Sequence, residues 1–567
     1  MKEDCQYVSI CFLIERDRLR DWVSSVGLDR YTDEASVSAS IKSTRLPLLA
    51  ILTEIRSAIT KFLILNGKYS ELKPPDQHKT IHIAGEELVG ILGSLDIPPE
   101  SSAEGHGGFL EKVKNFGGDI KNVATHPRRI KWVVFDKKRA EVLLKKLREL
   151  NDCLRELLDA HQTRILLQTT QNTYIELIQM HDTVEGLRYL LEAANLAQSS
   201  TGFADLADLA RFKSLNISEQ RLSPLLHFNE FVQNPSENRK GRNIAHYKDH
   251  GTTSGGPLWI EWKEFKVDLG AEVPQQQYPE IMPRIEELAR LLTAPKPTSM
   301  CVPPCLGYFM EREPETNEGY FGFVYTAPNA QSTMSTSLLD AMSKEKEPSL
   351  TDRYALAGKL TTCMLYLHSV DWLHKSFRSE NVLFFFRESL TAYSQPYLMG
   401  FEYSRPSRMG EKTDPVPWSP ETELYCHPDI LLTGKHPQYR KTFDIYSLGV
   451  VMLEIALWQP VRQIFPNDDE DEEEEDEENE DQNEDETTDK VKLGRIQKVI
   501  LERDSDLSSR IRAKVGNKYY DALRTCIGGR ESFGIRKESL EADSQAALHL
   551  QQAFKDLVVD RLKDAAL

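Results

Sequence analysis

The chain has 567 residues, of which 28% are charged, and 70 Lys and Arg against 88 Asp and Glu give a net charge of −18. That length suffices for two or three domains. Seventeen acids and no base fall within 468–489, so the remainder is nearly neutral at −1 and gives nucleic-acid binding no electrostatic support.

The eight cysteines are scattered. Cys301 and Cys305 form a C-x-x-x-C with no His/Cys pair at finger spacing after it, which predicts thiols in a reducing cytosol and no metal site. Met1-Lys2-Glu3-Asp4 is charged and the apolar run at Ile10–Ile14 is too short for a signal peptide. The longest apolar run, Leu448–Trp458, contains Glu454 and fits a buried helix better than a membrane span. The expected location is cytoplasmic, with peripheral attachment to a membrane as a further expectation.

From the N-terminus the chain reads as helical. Val8, Cys11, Phe12, Leu19, Trp22, Val23 and Val26 form one apolar stripe, closed by Gly27. Pro47 is a favoured first helical residue, and Leu48, Leu52, Ile55, Ile59 and Phe62 follow at alternating spacings of four and three. A polar connection over about 68–127 should hold only short helical pieces. A third helix from about 136 carries Leu143, Leu147, Leu150, Leu154 and Leu157, and such stripes predict a packed bundle.

Two stretches in this region go further. Glu15-Arg16-Asp17-Arg18-Leu19-Arg20-Asp21-Trp22 with Val26-Gly27-Leu28 resembles R-L-x-x-W-x-x-x-V-G-L. Arg128-Arg129-Ile130-Lys131-Trp132 with Asp136-Lys137-Lys138 resembles R-x-x-W-x-x-x-D-K. Both patterns resemble the fungal HeLo (prion-inhibition and propagation) domain, and the likeness covers about 1–165. It implies a helical bundle of the kind attached to heterokaryon-incompatibility and cell-death proteins. In that family an apolar helix that enters membranes precedes the first stretch. Here Met1 lies almost at the start of the next helix, so the apolar helix is expected to be missing from the gene model or lost in this member. Arg128, Arg129, Lys131, Lys137, Lys138, Arg139, Lys145, Lys146 and Arg148 read either as a solvated face or as an attraction to anionic lipid, at about 1 kcal/mol each.

Residues 166–225 read as a helical connector or brace, with Ile175, Ile178, Leu187, Leu190, Leu191 and Leu196 continuing an apolar stripe up to Ser199-Ser200-Thr201-Gly202. Trp259-Ile260-Glu261-Trp262-Lys263 then alternates like a strand. Gly241, Gly251, Gly255 and Gly256 do not make G-x-G-x-x-G and fall in a stretch that reads as an irregular loop. A helix over Pro283–Leu292 offers Glu286 or Glu287. Gly307-Tyr308-Phe309 and Tyr320–Tyr325 read as two paired strands, leading to a hinge near Thr326–Pro328.

Further on, Leu356, Leu360, Met364 and Leu367 step at helical spacing into Trp372-Leu373-His374-Lys375-Ser376-Phe377-Arg378-Ser379-Glu380-Asn381, and an apolar strand-like run, Val382–Phe386, follows. His374 and Asn381 stand at the spacing of H-R-D-L-x-x-x-N. Leu398-Met399-Gly400-Phe401-Glu402, Tyr425-Cys426-His427-Pro428-Asp429 and Asp444-Ile445-Tyr446-Ser447-Leu448-Gly449 come after it in order. These landmarks resemble the catalytic loop, D-F-G, A-P-E and D-x-x-S-x-G helix of the protein kinases, over roughly 226–567.

The resemblance implies an α+β two-lobed protein-kinase-like fold, with a small lobe over about 226–328 and a large lobe over about 329–567. An acidic insert at 467–489 interrupts the large lobe and is expected to be extended and disordered, because its carboxylates repel one another. Closing helices are expected over Leu493–Leu501, Tyr519–Cys526 and Ser544–Val559. The fold class is therefore multidomain, an N-terminal all-α bundle followed by this fold.

The same resemblance assigns roles, and they are not all filled. Ser376 stands at the catalytic base, where a hydroxyl keeps its own proton, and Gly400 stands at the metal-binding aspartate. Lys263 is either the phosphate-pairing lysine or an exposed strand-end lysine. Arg378 replaces the loop lysine, Asn381 is kept, His374 and Phe401 are expected to stack, and Asp444 to hold the loop backbone. No intact catalytic set and no metal ligands are expected. ATP binding, through Lys263 and Asn381 if at all, should be weak. The pattern reads as a signalling pseudokinase with protein partners and self-association through the bundle. A divergent active Ser/Thr kinase and a non-catalytic interaction scaffold are the rival readings.

Overall fold

The computed structural model describes scattered residues within 11–25 and 51–61, then 137–158, 160–181, 183–196, 204–218, 225–226, 231–233, 242–247, 256–266, 282–312, 318–328, 332–388, 393–407, 420–432, 438–466, 494–502, 505–536, 541 and 544–563. The polar connection at 68–127, the Arg128–Trp132 stretch, Gly241, Gly251, Gly255 and the acidic insert lie outside them. The chain divides into two compact units, Met1–Ser214 and Leu215–Leu567.

The first unit is helical. Described residues from 11 to 25 and from 51 to 61 are helical, followed by α1 (Lys137–Glu156), α2 (Ala160–Met180), α3 (Val184–Leu196) and α4 (Ala204–Ile217), whose last residues pass into the second unit. The apolar stripes form its core, with Leu19, Trp22, Ile55, Leu147, Leu154, Ile178, Leu187 and Leu190 all buried.

Charged residues stitch these helices as well. Glu15 is 1% exposed and accepts from Arg18 (2.9 Å), Arg148 (3.0 Å) and Asn151 (3.0 Å). The Trp22 indole donates to the carbonyl of Leu154 at 2.9 Å. Thr173 donates to Asp21 at 3.1 Å. Of the basic residues read as a lipid-facing set, Arg148 is therefore engaged with Glu15, and Lys146 pairs with Glu54.

The second unit mixes strands and helices. Strands β1 (Phe231–Gln233), β2 (Arg242–Tyr247), β3 (Leu258–Lys266), β4 (Cys305–Arg312) and β5 (Glu318–Thr326) form an antiparallel sheet in the order β1-β2-β3-β5-β4. Helix α5 (Met282–Thr293) lies between β3 and β4 in sequence. The rest is mainly helical: α6 (Leu338–Lys344), α7 (Leu350–Ser369), α8 (Lys441–Leu457), α9 (Arg495–Leu501), α10 (Asp506–Ile527) and α11 (Ser544–Phe554). Two small sheets thread it, β6 (Met334–Ser337) with β8 (Val382–Phe386) and β9 (Tyr397–Leu398), and β7 (Trp372–Leu373) with β10 (Arg405–Pro406).

The structure corrects the irregular loop expected around Gly241–Gly256. Residues 242–247 form β2, paired with β3 over Arg242–Ala245. Polarity hid this strand, since Ala245 is buried while Ile244 is 43% exposed, so little apolar alternation marks it. The apolar run lies in α8 up to Leu457, every residue of which is buried, and Trp458 caps the helix. Among the described residues no helix is long and apolar enough to cross a membrane, and the cysteines form no disulfide.

Candidate functional site

The His374–Asn381 segment has no regular structure apart from a short turn at Ser379–Asn381, so its backbone amides need partners from elsewhere. Helix α7 delivers the chain to it. Ser349 caps that helix by accepting the Asp352 N–H at 3.1 Å, and Leu356, Leu360, Met364 and Leu367 anchor it in the core. The turn after α7 passes through Asp371 at φ 58°, and β7 leads into His374.

Asp444, fully buried in the first turn of α8, supplies the missing acceptors. It takes the backbone N–H groups of His374 and Lys375, each at 2.8 Å, and the Tyr439 hydroxyl at 2.9 Å. Lys375 sits at φ 67°, a conformation that costs energy for a residue with a side chain. The Asp444 bond holds it there. Burial pushes the Asp444 carboxyl up, but hydrogen bonds from the His368 ring and the His374 backbone N–H hold it below the usual range.

His374 is buried, and burial pushes its pKa down to about 4. The neutral ring suits its contacts: Nε2 donates to the Met399 carbonyl at 3.0 Å, and Nδ1 accepts the Ser376 N–H at 3.3 Å. Its ring meets Phe401 edge-on, with centroids 4.6 Å apart.

Asn381, Ser376 and Gly400 make one cluster. Asn381 spends both amide hydrogens on Ser376, one on the carbonyl at 2.7 Å and one on Oγ at 3.1 Å. Its Oδ1 accepts from Arg242. Gly400, at φ 86°, packs directly on this amide, and a Cβ added there would lie 2.1 Å from Asn381 Nδ2. The glycine is thus required sterically as well as conformationally.

Glu261 of β3 closes the cluster. It is 3% exposed, and it accepts the N–H of Gly400 at 2.8 Å, the N–H of Phe401 at 3.3 Å and Arg242 Nε at 3.2 Å. Two residues on, Lys263 donates to the Glu402 carbonyl at 2.7 Å and lies 4.9 Å from the centre of the Tyr403 ring. Burial, with the nearby Glu261 charge, pushes the Glu402 carboxyl up to about 7. Arg378 forms an ion pair with Glu380 at 3.0 Å. Glu286 and Glu287 are half-buried on α5.

The structure therefore gathers His374, Ser376, Asn381, Gly400, Phe401 and Asp444 into one site, with Lys263 against its far end. Arg242 and Glu261 were missed from the sequence. The one signal was a carboxylate inside an apolar strand, two residues from Lys263 and so on its face of the sheet. Chemically the cluster fixes positions without supplying a proton acceptor at Ser376 or a carboxylate at Gly400. Among the described residues no group of three or more His, Cys, Asp and Glu is arranged to hold a metal ion.

A family model described as HeLo, prion-inhibition and propagation, matches residues 1–190, and a domain of unknown function (DUF7580) matches residues 325–566. The chain is similar to cysteine-rich receptor-like protein kinase 22 of Arabidopsis thaliana, 26% identical over 129 residues, which is 22% of this chain and 18% of that protein. It is also similar to cysteine-rich receptor-like protein kinase 31 of the same plant, 28% identical over 120 residues, 21% of this chain and 17% of that protein. Each match thus spans less than a fifth of the curated relative's length. The chain accordingly resembles the HeLo domain at its N-terminus, over residues 1–190, and receptor-like kinases over about a fifth of its own length.

Proposed function

We propose that this chain is a signalling protein in which a HeLo-type bundle is joined to a pseudokinase, acting in fungal heterokaryon incompatibility or programmed cell death. The bundle covers about 1–165, a helical brace 166–225, and the kinase-like module 226–567, with Lys263 on its small lobe and the His374–Asn381 loop on its large lobe. The module binds a protein partner and passes a signal to the bundle.

One observation carries the loss of catalysis. Ser376 and Gly400, which replace the base and the metal-binding acid, both pack on Asn381, whose amide is fully committed to Ser376 and Arg242. Phosphoryl transfer depends on positioning and on stabilising the charge that develops on the phosphate. The positioning frame is kept here and the charge-stabilising acid is gone.

Purified full-length protein incubated with radiolabelled Mg·ATP should label neither itself nor a generic protein substrate, and Ser376→Asp should not restore labelling. Labelling that vanishes in Lys263→Ala would establish an active kinase instead. For the bundle we expect only weak binding to anionic liposomes, lost at high salt, a reading supported by the engagement of Arg148 and Lys146 with acids.

A further inference from the structure

We propose that Arg242 and Glu261 form an internal latch across the cleft between the five-stranded sheet and the His374–Phe401 segment, with the Arg242 guanidinium holding Asn381 as a cation would. The proposal rests on the kinase-like reading only for the identity of the cleft; the contacts stand without it.

Strand register sets up the pair. Arg242 of β2 lies directly across from Glu261 of β3, the arrangement in which opposite charges on neighbouring strands attract. From there each side chain reaches out of the sheet into the segment opposite. Arg242 divides its guanidinium among three acceptors: Nε to Glu261 at 3.2 Å, Nη1 to the Glu380 carbonyl at 2.8 Å, and Nη2 to Asn381 Oδ1. Glu261 divides its carboxylate in the same way. Oε1 takes the Gly400 N–H and Arg242, while Oε2 takes the Phe401 N–H and, at 3.5 Å, the Tyr325 hydroxyl.

The two residues thereby bind two separate stretches of the opposing segment, Glu380–Asn381 and Gly400–Phe401. The planar fork of an arginine is needed for the first set, because a lysine ammonium cannot reach three divergent acceptors from one fixed plane. Asn381 is satisfied entirely within the chain, so closure requires no ligand. A metal-bound nucleotide entering here would have to displace Arg242 from Asn381 and leave Glu261 with a partly unpaired buried charge.

The test uses the full-length chain and two readouts, amide hydrogen exchange and thermal unfolding, with Mg·ATP and metal-free ATP as probes. In the wild type, millimolar Mg·ATP should change neither the melting temperature nor exchange over 380–401. Arg242→Ala and Arg242→Lys should each speed exchange over 380–386 and 397–401 by about tenfold. They should also lower the melting temperature by about 3 °C. Exchange in α1 and in the middle of α8 should not move.

Failure of lysine to restore protection separates the forked geometry from charge alone. It also keeps the test decisive if the alanine variant does not fold. Unchanged exchange over 380–401 in Arg242→Lys, or Mg·ATP protection of that segment in the wild type, would overturn the latch. Phosphate transfer by the wild type would instead overturn the pseudokinase reading, so the two failures are distinguishable.

Discussion

Buried acids serve two different ends in the two units of this chain. In the helical unit Glu15 takes side-chain donors, Arg18, Arg148 and Asn151. In the second unit Asp444 and Glu261 each take two backbone donors besides side chains, His374 and Lys375 in one case and Gly400 and Phe401 in the other. A helix already satisfies its own amides, so a buried acid there can only set how one helix lies against the next. An irregular segment has no such partners, so a buried acid fixes its backbone. The shape of the site is thus held by α8 and β3, from regular elements on either side. It does not depend on the hydroxyl at position 376, whereas position 400 must stay without a side chain.

That contrast ranks the effects of mutation. The largest loss is expected for Asp444→Ala, about 4 kcal/mol, because two buried N–H groups and a hydroxyl lose their acceptor at about 1–3 kcal/mol each. Urea unfolding followed by a probe in the second unit measures it. Gly400→Ala should come next at about 3 kcal/mol. It combines a left-handed backbone cost of about 1–2 kcal/mol with overpacking of about 1–3 kcal/mol against Asn381. Gly400→Asp should be no milder, so a carboxylate does not fit here without moving Asn381.

Glu15→Ala should cost less, about 2 kcal/mol, because charge-assisted bonds are worth about 1.5–3 kcal/mol. Arg18 and Arg148 are 15% and 22% exposed and can partly rehydrate, which trims the loss. A loss for Glu15→Ala as large as that for Asp444→Ala would erase the distinction drawn between the units.

A further effect appears only as a function of pH. Glu454 of α8 is buried like Asp444 but has fewer donors, the Tyr425 hydroxyl at 2.7 Å and the Val461 N–H at 2.8 Å, both on Oε1. Burial pushes its carboxyl up to about 7, whereas Asp444 is held low. A raised carboxyl binds more protons folded than unfolded, so its contribution is full below the unfolded carboxyl range and is lost as pH rises through about 7. The stability of wild type relative to Glu454→Gln should therefore decline between pH values of about 4.5 and 7 and level off above. A difference that rises with pH in that window would show the carboxylate to be the favoured form.

The sequence made legible what depends on local pattern. The apolar steps of α7 and the continuous apolar run of α8 marked both helices. The seven-residue spacing of His374 and Asn381, with Gly400 and Asp444 following, located the segment that the structure closes into one cluster. What stayed hidden depends on partners far apart in the chain. Arg242 meets Glu261 only through strand register, and β2 lacks the apolar alternation that would announce a strand. Arg148 looked like part of a basic face because a single helix cannot reveal that Glu15 lies opposite. The tight fit of Gly400 on Asn381 is likewise a matter of tertiary packing, so Gly400 read as a lost acid and not as a required glycine.

Amide exchange over 373–381 in Asp444→Asn, set against Ser376→Ala, tests most directly whether the site is held from its frame. Asp444→Asn should lose protection at His374 and Lys375, because an amide offers one acceptor oxygen where the carboxylate offers two. Ser376→Ala should leave those two amides as protected as in the wild type. Protection lost in Ser376→Ala and kept in Asp444→Asn would contradict the account, since the loop would then be shaped by the side chain at position 376.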